Sequence, residues 1–158
     1  MSTFTRFTGS LDTTYDREAS LALHKDYWRV KAFRYYIGSF DSDKWVDIPK
    51  GFLTDGASVP FLFTWLIPAW GEYGQATTLH DWLCENMYII HRINGVETRV
   101  DIDRAEVDRI LYEAMRVLEV KPWRRVTIQA GVDAYRIVRR PGRSAVSPLK
   151  VQFEAEAA

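Results

Sequence analysis

The chain has 158 residues, 47% apolar and 14% aromatic, enough to bury one core and too few for two ordinary domains. Its 21 Lys and Arg balance 21 Asp and Glu, which argues against a general electrostatic attraction to nucleic acid or to an anionic membrane. The lone cysteine, Cys84, excludes an intramolecular disulfide framework and a multi-cysteine zinc site, and reads as a buried, inert thiol.

Residues 1–16 lack the apolar stretch of a signal peptide, and no run approaches the roughly 18–20 apolar residues of a membrane span, so synthesis in a cytoplasm and no membrane span are expected. Residues 20–23, 27–37 and 44–48 carry β-formers, the last two separated by the polar turn Asp41-Ser42-Asp43, and predict two or three antiparallel strands. Most of the aromatic rings between residues 27 and 70 are expected in the core. Pro49-Lys50-Gly51 closes this block, and Thr54-Asp55-Gly56, with Ser58 and Pro60 behind it, has turn chemistry.

Beyond Pro60 the period changes. Residues 61–67 predict a short apolar helix ending before Pro68, and residues 73–88 predict a second, with Ala76, Leu79, Leu83 and Met87 on one face. A turn at Asn94-Gly95 precedes an amphipathic helix over 102–118, marked by Ala105, Ile110, Leu111, Ala114 and Leu118 and capped by Asp101 or Asp103. A last helix over 123–138 has Pro122 suited to its first turn. After Arg140-Pro141-Gly142 the tail alternates weakly at Leu149, Val151 and Phe153, as a strand or a docking tether would.

Strands first and helices second predict an α+β fold: a small N-terminal antiparallel β-sheet followed by three to four α-helices. One domain is expected over 1–158, with a core over about 20–140 and extensions at 1–18 and 144–158. The basic stretch 121–143, with Arg124, Arg125, Arg136, Arg139, Arg140 and Arg143, reads as a solvated helix face, with phosphate or an acidic partner as the other reading.

His80 and Asp81 are two adjacent titratable groups inside a helix that otherwise needs only to pack. Neighbours on a helix point about 100° apart, so each requires a partner from elsewhere. Asp108, on the following helix, is the candidate to orient His80, which makes His80 a usable general base. Asp81 is then free to take a hard divalent cation, calcium or a similar ion, through oxygen. The loop with Thr54, Asp55 and Ser58 can complete such a site, Asp55 as a second metal ligand and Ser58 as a candidate catalytic hydroxyl, although Ser58 lacks a Gly-x-Ser-x-Gly elbow.

The same residues have a plainer reading. A histidine held by a carboxylate is also a common structural network, and Asp55 and Ser58 can be a turn former and a helix N-cap ahead of Pro60. His24 and His91 have no companions at metal-ligand spacing. No phosphate loop or dinucleotide fingerprint is present.

The segment Ile48-Pro49-Lys50-Gly51-Phe52-Leu53-Thr54-Asp55-Gly56-Ala57-Ser58-Val59-Pro60, followed by Pro68-Ala69-Trp70-Gly71-Glu72-Tyr73, Leu79-His80-Asp81-Trp82-Leu83, Arg104-Ala105-Glu106-Val107-Asp108 and Glu113-Ala114-Met115, resembles the phage and prophage domain-of-unknown-function family 1353. The resemblance covers roughly residues 21–138 and implies a tailed-phage or prophage origin without an established activity. Thr54, Asp55, Ser58, His80, Asp81 and Asp108 are the positions carried across. A weaker similarity links the His-Asp helix to secreted phospholipases A2, which hold calcium through the second residue of the pair and a loop. Those enzymes are disulfide-rich and have a glycine-rich calcium loop, and this chain has neither feature.

Two expectations follow. One is a virion-associated hydrolase acting on the host envelope, with His80 as base, Asp108 as its orienter and a divalent cation on Asp81 and Asp55. The other is a non-catalytic tail or head-tail component that binds other phage structural proteins or itself, where the same residues form a hydrogen-bond network. An inhibitor of a host defence protein fits the size and the phage context but is tied to no residue.

Overall fold

The computed structural model describes residues 6–56 and 71–158. The fold is α+β. Strand β1 (Thr13–Tyr15) leads into helix α1 (Arg17–Leu23), and β2 (Trp28–Val30), β3 (Phe33–Tyr36), β4 (Lys44–Ile48) and β5 (Leu53–Thr54) follow. Helix α2 (Gly74–Asn86), the hairpin β6 (Tyr88–Ile93) and β7 (Val96–Asp101), and helices α3 (Arg104–Val117), α4 (Pro122–Arg139) and α5 (Pro148–Ala157) complete the chain.

Two antiparallel sheets share these strands. One has the order β1-β2-β5, the other β3-β4-β6-β7. The expected strand over 27–37 is therefore two strands in two sheets. Alternation on β3 sends Phe33 and Tyr35 inward, where they meet Val46 and Ile48 of β4 and the apolar faces of α2 and α3. Leu79, Leu83, Ile110, Leu111 and Met115 fill the space between the sheet and the two helices. Glu113 on α3 fastens this packing, accepting hydrogen bonds from the Tyr35 hydroxyl at 2.8 Å and from Arg6 at 2.8 Å.

Several local expectations need correction. Residues 20–23 are not a strand but the end of α1, because Asp16 caps the helix, its carboxylate accepting from the Ala19 amide at 2.8 Å. The helix expected over 73–88 stops at Asn86, where Met87 takes a left-handed φ of 57° and its amide closes onto the Leu83 carbonyl. Asn94 and Gly95 do form a turn, but both have positive φ, 52° and 80°, and they join two strands rather than two helices. That hairpin extends the second sheet beyond the N-terminal half, through the pairing of Trp45 with Ile90.

The helix count is also higher than three to four. Five helices lie among the described residues, α1 and α5 being the unexpected ones. The helix expected over 61–67 lies outside the described residues. The tail read as a strand or tether is α5. Its Lys150 is buried against Glu85 of α2 and Glu154, Arg29 donates to the Phe153 carbonyl at 2.8 Å, and Ala157 packs over Gly51. Two boundary readings hold: Asp103 caps α3, accepting from the Glu106 amide at 2.8 Å, and Pro122 opens α4.

Candidate functional site

The α2–α3 packing brings His80 and Asp108 together. The His80 Nε2–H donates to Asp108 Oδ1 at 2.9 Å, the tautomer being set by that carboxylate. The Asp108 side chain is 2% exposed and that of His80 12%, so the carboxylate is sealed while the imidazole edge touches water. Asp108 Oδ2 accepts from Arg136 Nε of α4 at 2.9 Å, and Arg104 Nε, one turn earlier on α3, stands 3.8 Å from Oδ1. One buried carboxylate thus ties three helices through charge-assisted contacts.

Cys84, one turn further along α2, packs its Sγ against the imidazole, 3.6 Å from Nδ1 and 3.7 Å from Nε2. Burial pushes the Cys84 thiol up to about 12, so it stays protonated and unreactive at neutral pH, as expected of a lone core cysteine.

Asp81 points elsewhere, as the helical angle requires. Its Oδ2 accepts the Thr54 hydroxyl of β5 at 2.9 Å. Thr54 Oγ1 in turn accepts the Gly56 amide at 3.2 Å, where a left-handed φ of 79° turns the chain. Desolvation raises the Asp81 carboxyl from 3.8 to about 7, against the Thr54 hydroxyl, Lys150 and Lys25, which pull it down. Asp55 forms an ion pair with Lys25, just past the end of α1. Ser58 lies outside the described residues.

The expected constellation is therefore assembled as two pairs: His80 with Asp108 toward α3, and Asp81 with Thr54 toward β5. Arg136, Arg104, Lys25 and Lys150 were missed as parts of it. Arg104 had a legible signal, since it stands four residues before Asp108 on a helix. Arg136 belonged to a basic run that reads as solvated, and Lys25 and Lys150 reach the site only through the tertiary fold.

Among the described residues no three His, Cys, Asp or Glu side chains converge to hold a metal ion. Asp81 and Asp55 do not by themselves make a cation cage, because the Lys25 ammonium already engages Asp55. One turn beyond Asp81, Glu85 borders a cleft of about 340 Å³ lined by Phe52, Trp82, Arg143, Val146 and Glu154.

The fold and these two pairs define an α+β protein with a buried His-Asp contact between packed helices and a desolvated carboxyl at a sheet end. The chain belongs to the DUF1353 family, described as a protein of unknown function, whose model matches residues 28–132. That stretch contains Thr54, Asp55, His80, Asp81, Arg104 and Asp108, and leaves Lys25, Arg136 and Lys150 outside it. Searches of curated proteins and of solved structures found no match for the chain.

Proposed function

We propose that this chain is a phage-encoded, virion-associated hydrolase acting on a component of the host envelope, with His80 as its general base. The observation that carries the reading is the His80–Asp108 contact of 2.9 Å, with the carboxylate sealed and the imidazole at the edge of solvent. With Nε2–H given to Asp108, the lone pair sits on Nδ1, where it takes a proton from an attacking water. Asp108 then stabilises the imidazolium. The phage and virion assignment rests on the resemblance of the family motifs.

A divalent cation on Asp81 and Asp55 belongs to this reading and has to displace Lys25 from Asp55.

A second reading is favoured by a specific observation: the Cys84 thiol packs against the His80 ring, near both of its nitrogens, and Arg136 already neutralises Asp108. Here the set is a structural network that locks α2, α3 and α4 in a non-catalytic tail or head-tail component, which binds other phage structural proteins or copies of itself.

Hydrolysis of phospholipid vesicles and of purified peptidoglycan by wild type, His80→Ala and Cys84→Ala separates the two. The hydrolase reading expects activity in wild type and in Cys84→Ala, and none in His80→Ala. Activity that survives in His80→Ala, or wild type inert on both substrates, sinks it and leaves the network.

A further inference from the structure

Strand β7 forms one margin of the second sheet, and among the described residues nothing pairs with its outer side. The other sheet margins are covered or short. Phe7 bridges to Tyr35 beside β3, where the Thr8 amide also donates to the Arg34 carbonyl at 3.0 Å. The Leu53 amide of β5 donates to Glu154 at 2.9 Å, and β1 has three residues. β7 has six, five of them exposed. A bare edge of that length is a template for a further strand.

The hairpin register fixes which backbone groups that edge offers. Ile93 pairs with Val96 across the turn, and the Ile102 amide donates to the Met87 carbonyl at 3.0 Å in the same frame. The backbone groups of Val96, Thr98 and Val100 therefore turn toward β6, and those of Glu97, Arg99 and Asp101 turn outward. Glu97 and Arg99 lie symmetrically about Thr98. An antiparallel copy of β7 centred on Thr98 sets Glu97 opposite Arg99 twice, Val96 opposite Val100 twice, and Thr98 opposite itself. The Glu97 and Arg99 positions are also those whose N–H and C=O groups face the copy, so hydrogen bonds and charges select the same register. Sliding the copy by two residues opposes Glu97 to Glu97 or Arg99 to Arg99.

Charged residues on an edge ordinarily repel a second strand; here their opposite signs repel a shifted strand and fit a copy in register. Glu97 stands 3.9 Å from Arg92 in an exposed pair, and the Arg99 guanidinium lies 3.5 Å from the Tyr88 ring centre. Both contacts are made within the hairpin, toward β6, and leave the outer side of β7 open. We infer that β7 is a self-pairing edge: two copies of this chain join antiparallel through it about a two-fold axis at Thr98, and their four-stranded sheets become one of eight. The pairing also covers Val96, which is 64% exposed. It rests on neither reading of His80, since β7 contributes no residue to that network.

The test is sedimentation equilibrium of the full chain at a concentration on the order of 100 µM, suited to an interface at the small end of the usual range. Wild type should sediment as a dimer. Glu97→Arg and Arg99→Glu each set like charges opposite one another and should each weaken the dimer by about tenfold or more. An equimolar mixture of the two variants should restore it, because every 97–99 pair between unlike chains is then of opposite charge. Thr98→Cys should crosslink to its own copy in air, since the Cα atoms of a non-hydrogen-bonded antiparallel pair lie within disulfide reach, and Cys84 is buried and does not compete. The inference is overturned if wild type is a monomer at that concentration, or if either charge variant dimerises like wild type. A mixture that stays monomeric, or a Thr98→Cys chain that does not crosslink, equally overturns the register centred on Thr98.

Discussion

Asp108 and Arg136, 28 residues apart, meet at 2.9 Å across the α3–α4 packing, and this contact holds the carboxylate that also receives His80. Asp108 is therefore the joint of three helices as well as the partner of the candidate base. Asp108→Asn leaves His80 and the partly exposed Arg136 facing a neutral amide at a buried position, and it should destabilise the fold by about 2 kcal/mol, less than for a fully buried pair because water reaches Arg136. Urea unfolding measures this. A loss below about 0.5 kcal/mol, the level of an ordinary surface change, would show that the joint contributes nothing and that α4 is held by Ile128 and Val132 alone.

Asp81 carries a pH signature. Its carboxyl is raised from 3.8 to about 7 in the folded chain by burial. The group therefore binds its proton more tightly when folded, so its contribution to stability is fully present below the ordinary carboxyl value and is lost as pH rises through 7. Asp81→Asn, whose amide oxygen can still accept the Thr54 hydroxyl, should remove that dependence and exceed wild type at pH 8 by about 2 kcal/mol, allowing for water reaching part of the group. Urea midpoints between pH 4 and 8 give the comparison. A wild-type Asp81 that titrates near 4 by carbon NMR would refute the burial argument.

Lys25 competes with any cation at Asp55. Lys25→Met removes the ammonium from that carboxylate, and calorimetry should then show calcium binding strengthened by about tenfold, the equivalent of roughly one displaced ion-pair partner. Asp81→Asn should abolish it. No heat in wild type and in Lys25→Met alike would remove the cation from the proposed function.

The anchor of α5 is Lys150, whose side chain is 6% exposed between Glu85 and Glu154 and over the Phe52 ring at 4.6 Å. Burial already raises the Glu85 carboxyl, and Lys150 opposes that rise. Lys150→Ala leaves Glu85 without its cation and should cost about 3 kcal/mol, with α5 detaching first. Limited proteolysis reads this directly as faster cleavage within residues 140–147. Unchanged cleavage would mean that Arg29 and the Glu154 contact with the Leu53 amide hold α5 alone.

Much of this protein follows from local chemistry. Strand β4 matches its expected residues 44–48, because β-formers behind a polar turn specify an extended segment without help. The start of α3 at Asp103 and of α4 at Pro122 follow from backbone groups that only a cap or a missing N–H can satisfy. The pairing of His80 with Asp108 was legible too, since two amphipathic helices in sequence bury their apolar faces against each other and carry their polar partners with them.

Other features were decided only in three dimensions. Residues 20–23 can be strand or helix by composition, and Asp16, capping from outside the segment, settles it as α1. The Asn94-Gly95 turn marks a reversal, but that it is flanked by strands depends on β4 offering Trp45 and its neighbour Lys44 an open edge. His80 and Asp81, adjacent in the chain, look like one site; the helical angle sends them to different partners, one on α3 and one on β5. Lys25 and Lys150 act on the same region from opposite ends of the sequence. Sequence determines which side chains are available, because periodicity and capping act over a few residues. Which of them meet is set by packing between elements far apart in the chain, and a local pattern does not encode it.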